Sequence, residues 1–161
     1  MIIDLDAFDV VFCALVAERR NVVKAPHGTV NLRKCSRSDF EVHLLGVMGE
    51  LAVARWLGVE VDTSVSASGD DKVSDLVHNG VRIQVKTRTV QEKPIYLFFN
   101  QREQFRADVA VLALVLGPAR VQVAGWIRRQ DFLDQATAAD FGYGPRVVVT
   151  MDKLNPSSEM W

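Results

Sequence analysis

The stretch S-D-L-V-H-N-G-V-R-I-Q-V-K-T-R, residues 74–88, decides how the rest of the chain is read. Asn79-Gly80 between two alternating runs is the strongest short hairpin signal a sequence can carry, because a two-residue turn needs two left-handed residues. The strands are expected over K-V-S-D-L-V (72–77) and V-R-I-Q-V-K-T-R (81–88). A two-residue turn at Asn79 and Gly80 sets His78 against Val81, Val77 against Arg82, Leu76 against Ile83 and Asp75 against Gln84. Directly opposed residues lie about 5 Å apart at Cβ. Lys86 shares the parity of Gln84, while Val81, Ile83, Val85 and Thr87 point the other way, toward a core. A carboxylate beside a lysine in a central hairpin must be desolvated, hydrogen-bonded or bound to a cation. Asp75 with the Gln84 side-chain oxygen suits a hard ion such as Mg²⁺.

Upstream, Ser38 followed by Glu41 forms a capping box, so a helix is expected from there to Leu57, ending at Gly58. It carries G-V-M-G-E, residues 46–50. Gly46, Glu50, Val53 and Ala54 share one stripe. Each glycine weakens a helix by up to ~1 kcal/mol relative to Ala, so two beside an acid suggest close packing that brings Glu50 toward the hairpin.

G-x-x-G-E on a helix, an acid on one strand and Q-x-K on the next resemble the PD-(D/E)XK nuclease superfamily over roughly residues 38–132. The resemblance implies an α/β (α+β) fold with a restriction-endonuclease-like αβββαβ core, a mixed central sheet flanked by helices. It implies that Asp75 and Gln84 hold Mg²⁺ or Mn²⁺ with the Val85 carbonyl. Glu50 reaches the metal directly or through water, and Lys86 orients the attacking water or stabilises charge on the phosphate. The implied activity is hydrolysis of DNA phosphodiester bonds by an endonuclease of restriction, repair, recombination or junction-resolving type. Ser74 stands where the family's proline would be, and Gln84 replaces an acid, which keeps an oxygen ligand but loses a charge. The alternative is a catalytically degenerate nuclease-fold module that binds nucleic acid or a protein.

The rest of the chain is expected to form one domain over 1–161: an N-terminal helix and basic loop (1–37), the core (38–132), and a C-terminal part (133–161). A first helix is expected from about Leu5 to Arg20, with Phe8, Val11, Phe12, Leu15 and Val16 as its apolar face. Val59–Val65 and Ile95–Phe99 read as strands. D-V-A-V-L-A-L-V-L (108–116) reads as a buried central strand with residues 120–127 beside it. A helix over 130–138, a strand over 146–150 and a loose tail from Asn155 complete the sheet of five or six strands.

A net charge of −1 argues against a polybasic binder. Yet no acid occurs between Arg19 and Ser38, where Arg19, Arg20, Lys24, Arg33, Lys34 and Arg37 cluster. That run reads either as a phosphate contact or as a solvated loop. Arg33, Lys34, Arg37 and Arg88 are the candidate DNA contacts, Arg88 because it shares the parity of Lys86. Cys13 reads as core and Cys35 as a loop thiol, with no C-x-x-C between them. His27, His43 and His78 form no metal set, and no P-loop or dinucleotide fingerprint occurs, so no nucleotide cofactor is expected. No apolar run approaches the ~20 residues of a membrane span, and the acidic N-terminus is unlike a secretory signal, so a cytoplasmic protein is expected. The chain is too small to embrace a duplex alone, and a homodimer is expected.

Overall fold

The structure, a computed structural model, describes residues 1–24, 37–63, 73–91, 93–142 and 144–160. Asn79 and Gly80 adopt φ of 49° and 78°, the two left-handed conformations that a tight hairpin turn needs. They join β2 (Leu76–His78) to β3 (Val81–Thr89) in the predicted register, His78 opposite Val81 and Leu76 opposite Ile83. β2 is only three residues long, so Val73–Asp75 lie before it rather than in it. The apolar run downstream forms β5 (Val109–Gly117), which turns back into β6 (Arg120–Arg128). β3 and β5 run parallel, and β1 (Ile2–Asp4) borders β6, giving a mixed sheet in the order β1-β6-β5-β3-β2.

A second sheet was not foreseen. β4 (Tyr96–Phe99) pairs with β8 (Pro145–Thr150), and β8 pairs with β7 (Thr137–Asp140). The chain passes from β3 to β5 through β4 and one 3₁₀ turn at Arg102–Gln104, with no α-helix among the described residues of the crossover. The expected helix over 130–138 is α3 (Arg129–Gln135), which stops where Thr137 begins to pair with Val148. Tertiary pairing there overrides the helix preference of the alanines. The expected strand over 59–65 is absent from its described part, 59–63.

Two helices cover one face of the five-stranded sheet. α2 (Asp39–Leu57) packs on β3, β5 and β6, and α1 (Ala7–Lys24) packs on α2. On that face Ile83 and Val85 of β3 meet Val47, Ala52 and Val53 of α2 in one core. The opposite face of β5, from Ala110, Leu112 and Leu114, packs against β4, β8 and α3 in a second core. At its centre Phe99 stacks on Phe105 at 4.7 Å, and Phe132 sits edge-on to both.

Two further expectations are corrected. Of the five residues read as the core face of α1, Phe8, Val11 and Leu15 are exposed, Phe12 is half-buried and Val16 is buried as expected, while Asp9, Cys13 and Ala17 turn inward beside Val16. The helix is apolar on both sides, and the side with the smaller residues lets it lie close to α2. Buried Asp9 is ion-paired with Arg55 of α2, and burial, aided by Asp9, pushes the Cys13 thiol up to about 12. The described part of the C-terminal tail, residues 155–160, is docked rather than loose. Asn155 and Trp126 exchange backbone hydrogen bonds of 2.8 and 3.0 Å, the Trp126 indole donates to the Pro156 carbonyl at 3.1 Å, and Met160 is buried.

Candidate active site

The site begins with a helix held at a fixed start. Ser38 accepts from the Glu41 N–H at 3.2 Å, and Glu41 accepts from the Ser38 N–H at 2.6 Å, the reciprocal cap the sequence predicts. Eleven residues on, α2 comes down on β3 through a glycine. A Cβ placed on Gly49 would lie 2.0 Å from Thr87 Oγ1, so only glycine permits this approach, whereas a Cβ on Gly46 would meet nothing within 4 Å. Gly49 is therefore the residue that sets the helix close to the sheet, and Glu50 follows it.

Asp75 owes its place to the shortness of β2. Its N–H donates to the Ile83 carbonyl at 2.9 Å, and its Oδ2 accepts from the Val85 N–H at 2.7 Å. The carboxylate thus takes the hydrogen bond that a longer β2 would have made to β3. An extended residue points its N–H and C=O to the same side, so the Val85 carbonyl faces this edge too. Burial raises the Asp75 carboxyl first and the Glu50 charge raises it further; the Val85 N–H, Lys86 and Arg20 pull it back. The balance leaves it pushed up to about 6.

Glu50 is gripped by a residue the sequence reading did not single out for the site. Arg20 of α1 donates from Nη1 to Oε1 at 2.9 Å and from Nη2 to Oε2 at 2.7 Å. Both side chains are largely buried, 15% and 12% exposed. The bond to Glu50 raises the Arg20 pKa above its ordinary value despite burial, and Asp75 and Asp62 act in the same direction. A signal was present: Arg20 continues the Cys13, Val16, Ala17 stripe at helical spacing, a cation in line with the inward side of α1.

Gln84 and Lys86 come from the other face of β3. They sit beside Ala110 and Leu112 of the parallel neighbour, on the side of the second core. Lys86 Nζ lies 4.5 Å from the centre of the Phe99 ring, and the Arg88 guanidinium lies 3.7 Å from that of Phe98. Gln84 Oε1 is buried and has no hydrogen-bond partner among the described residues. The expectation that the acid, amide and lysine share one face opposite the core is therefore corrected. α2 with Glu50 covers one face, Gln84 and Lys86 leave from the other, and Asp75 occupies the edge between them. The α2 face of β3 is packed by Val47, Ala52 and Val53, whereas Gln84, Lys86 and Arg88 on the other face are half-buried.

Of the candidate DNA contacts, Arg37 donates to Thr89 Oγ1 at 2.9 Å and so ties the start of α2 to the end of β3. Arg88 is half-buried against Phe98. Arg33 and Lys34, with His27 and Cys35, lie outside the described residues. No group of three or more His, Cys, Asp and Glu side chains able to hold a metal occurs among the described residues. The oxygen donors at the edge are instead the Asp75 carboxylate and the Val85 carbonyl, and the Gln84 amide oxygen, buried and without a partner among the described residues, is the further donor β3 carries. That set fits a hard divalent ion, which accepts few protein ligands and keeps water. No helix among the described residues is long and apolar enough to cross a membrane. No protein-family model matches the chain, and no curated protein matches it.

Proposed function

We propose that this chain is a divalent-metal-dependent nuclease of the PD-(D/E)XK type, acting on DNA in the cytoplasm. The observation that carries the reading is Asp75: a carboxylate at the end of a shortened strand, bonded to the Val85 N–H, raised toward 6, and within the electrostatic reach of both Glu50 and Lys86. A desolvated acid with an acidic neighbour is a site suited to a cation. The order of α2, β2 and β3 also supports the reading, while β4 departs from an αβββ opening by joining the second sheet.

Asp75, Gln84 and the Val85 carbonyl would hold Mg²⁺ or Mn²⁺. When bound, that ion polarises the phosphate and acidifies a water. The chain's own groups do the rest. The Val85 N–H fixes Asp75 Oδ2 and so orients its second oxygen. Arg20 holds the Glu50 carboxylate in one direction through both oxygens. Lys86 Nζ, steadied over the Phe99 ring, is the donor for a non-bridging phosphate oxygen or for the attacking water. Arg88 and Arg37, at the far end of β3, would take flanking phosphates. Their replacement by alanine weakens binding and flattens its salt dependence.

Cleavage of plasmid and branched DNA with Mg²⁺ or Mn²⁺ tests the reading. Asp75→Ala and Lys86→Ala should each slow cutting by roughly 10²–10³-fold, the scale of losing one transition-state contact. Equal cutting by wild type and both variants would mean a contaminant, and the assignment would fall. One observation favours a second reading, a degenerate nuclease-fold module that only binds. Both Glu50 oxygens are already taken by Arg20, and Gln84 stands in for an acid. If Mn²⁺ does not bind near Asp75 and nothing is cut, that reading replaces the first.

A further inference from the structure

The side of α1 turned away from the protein is apolar. Phe8 is 88% exposed, Leu15 67%, Val22 59% and Val11 58%. At 100° per residue the four fall within an arc of about 60°, and Phe8, Leu15 and Val22 repeat at seven-residue spacing. The buried residues of the same helix, Asp9, Cys13, Val16 and Ala17, lie on the opposite side against α2. The stripe is thus a second apolar face on a helix whose first face is already used. It offers on the order of 400–500 Å² of apolar surface, within the roughly 300–600 Å² of the largest patch on a monomer, which is often functional.

We propose that two copies of this chain associate through this face of α1, packed antiparallel about a two-fold axis at Leu15. The spacing is self-complementary in that arrangement. Phe8 of one copy meets Val22 of the other, large against small, and Leu15 meets its own counterpart on the axis. A parallel pair would set Phe8 against Phe8 and Val22 against Val22, overfull at one end and underfilled at the other. The antiparallel pair also opposes the two helix dipoles and sets the acidic N-terminal end, with exposed Asp6, beside the partner's C-terminal end. An anionic bilayer prefers a basic rim, whereas exposed Glu18 and Arg19 give this face a rim of mixed sign. A standard interface buries about 800 Å² per partner. The stripe supplies about half, and half-buried Phe12 with the stems of Glu18 and Arg19 adds to it, so a dimer that dissociates at micromolar concentration is expected. The proposal does not depend on the nuclease reading.

Sedimentation velocity over a concentration series should show a monomer–dimer equilibrium. Leu15→Glu and Phe8→Glu should each abolish it while leaving the circular dichroism spectrum unchanged, since both side chains are exposed. Geometry is tested by cross-linking in a Cys35→Ser background. Leu15→Cys should form a disulfide-linked dimer on mild oxidation. Phe8→Cys should not do so alone but should when mixed with Val22→Cys. A wild type that stays monomeric throughout overturns the proposal, as does a dimer that survives Leu15→Glu. Phe8→Cys linking to itself as readily as Leu15→Cys overturns the antiparallel register. Monomer that co-sediments with phosphatidylserine vesicles, or a Leu15→Cys thiol shielded from reagent in a monomer, assigns the face to a membrane or to the chain's own residues 25–36, and the dimer is then rejected.

Discussion

Two arginine–carboxylate forks in this molecule are nearly the same in chemistry and opposite in setting. Arg20 holds Glu50 with bonds of 2.9 and 2.7 Å, and Arg82 holds Asp108 with bonds of 3.0 and 2.6 Å. The first pair is 15% and 12% exposed, the second 47% and 44%. The difference is water. At the rim, each partner of Arg82–Asp108 has solvent as an alternative, so little depends on the pair. Under α1, Arg20 and Glu50 have little of that alternative, and each is the other's main compensation. A pair that costs desolvation on both sides is weak evidence for stability as such. Its position, one helical residue past the glycine that seats α2 on Thr87, gives it a use: it fixes where a carboxylate points beside Asp75.

Arg20→Ala is the harshest way to test that contrast. It leaves Glu50 buried and uncompensated, with Asp75 as an acidic neighbour, and should cost about 3–5 kcal/mol in urea denaturation. Replacing both partners by methionine should recover much of the loss, because two apolar groups of similar volume need no compensation. A double variant as unstable as Arg20→Ala would mean that the arginine matters for packing and not for charge.

Asp75 sharpens the contrast from the other side, as a buried acid whose compensation is incomplete. Its folded carboxyl lies at about 6, above the ordinary 3.8. The folded state therefore binds the proton more tightly than the unfolded state does. Stability is highest below about pH 4 as far as this group is concerned, falls as the pH rises toward 6, and stays reduced above it. Asp75→Asn keeps an oxygen for the Val85 N–H and removes the charge. In EDTA near pH 7 it should stabilise the protein by on the order of 2–3 kcal/mol, with the gain vanishing as the pH is lowered to about 4. A destabilised Asp75→Asn at pH 7 would show that Arg20 and Lys86 already compensate the carboxylate in full. A gain in stability joined to a loss of cleavage would place Asp75 among residues kept for function at a cost to the fold.

What could be read in the chain was what neighbouring residues settle among themselves. The Asn79-Gly80 turn fixes its own strand register, and Ser38 with Glu41 fixes its own helix start. The features that escaped depend on distant partners. α1 carries apolar side chains on both sides, and only the packing of Cys13 and Ala17 against α2 decides which side is inward. β7 forms because β8 is there to pair with Thr137–Asp140, and the tail is ordered by Trp126. The candidate site divides in the same way. Asp75, Gln84, Lys86 and Glu50 could be named from their motif order. The placing of Asp75 at an edge could not, because it follows from β2 beginning only at Leu76, where the sequence reads as a strand from Lys72. Arg20 lies 30 residues from its partner, and its place in the Cys13, Val16, Ala17 stripe points to Glu50 only once that side of α1 is known to face α2.

The mildest test returns to the exposed fork. Arg82→Ala removes the guanidinium from Asp108, but the residue 82 backbone N–H, which donates to Asp108 Oδ2 at 2.9 Å, remains in the variant. The carboxylate also keeps access to water, and the Asp108 N–H still donates to the residue 82 carbonyl at 3.0 Å, holding β5 in register with β3. The denaturation midpoint should therefore match that of the wild type within error, in low salt and in high salt alike, because solvent screens what the pair contributes. A loss approaching that of Arg20→Ala would mean that burial is not what separates the two forks. The weight placed on Arg20 as the residue that orients Glu50 would then have to rest on cleavage data alone.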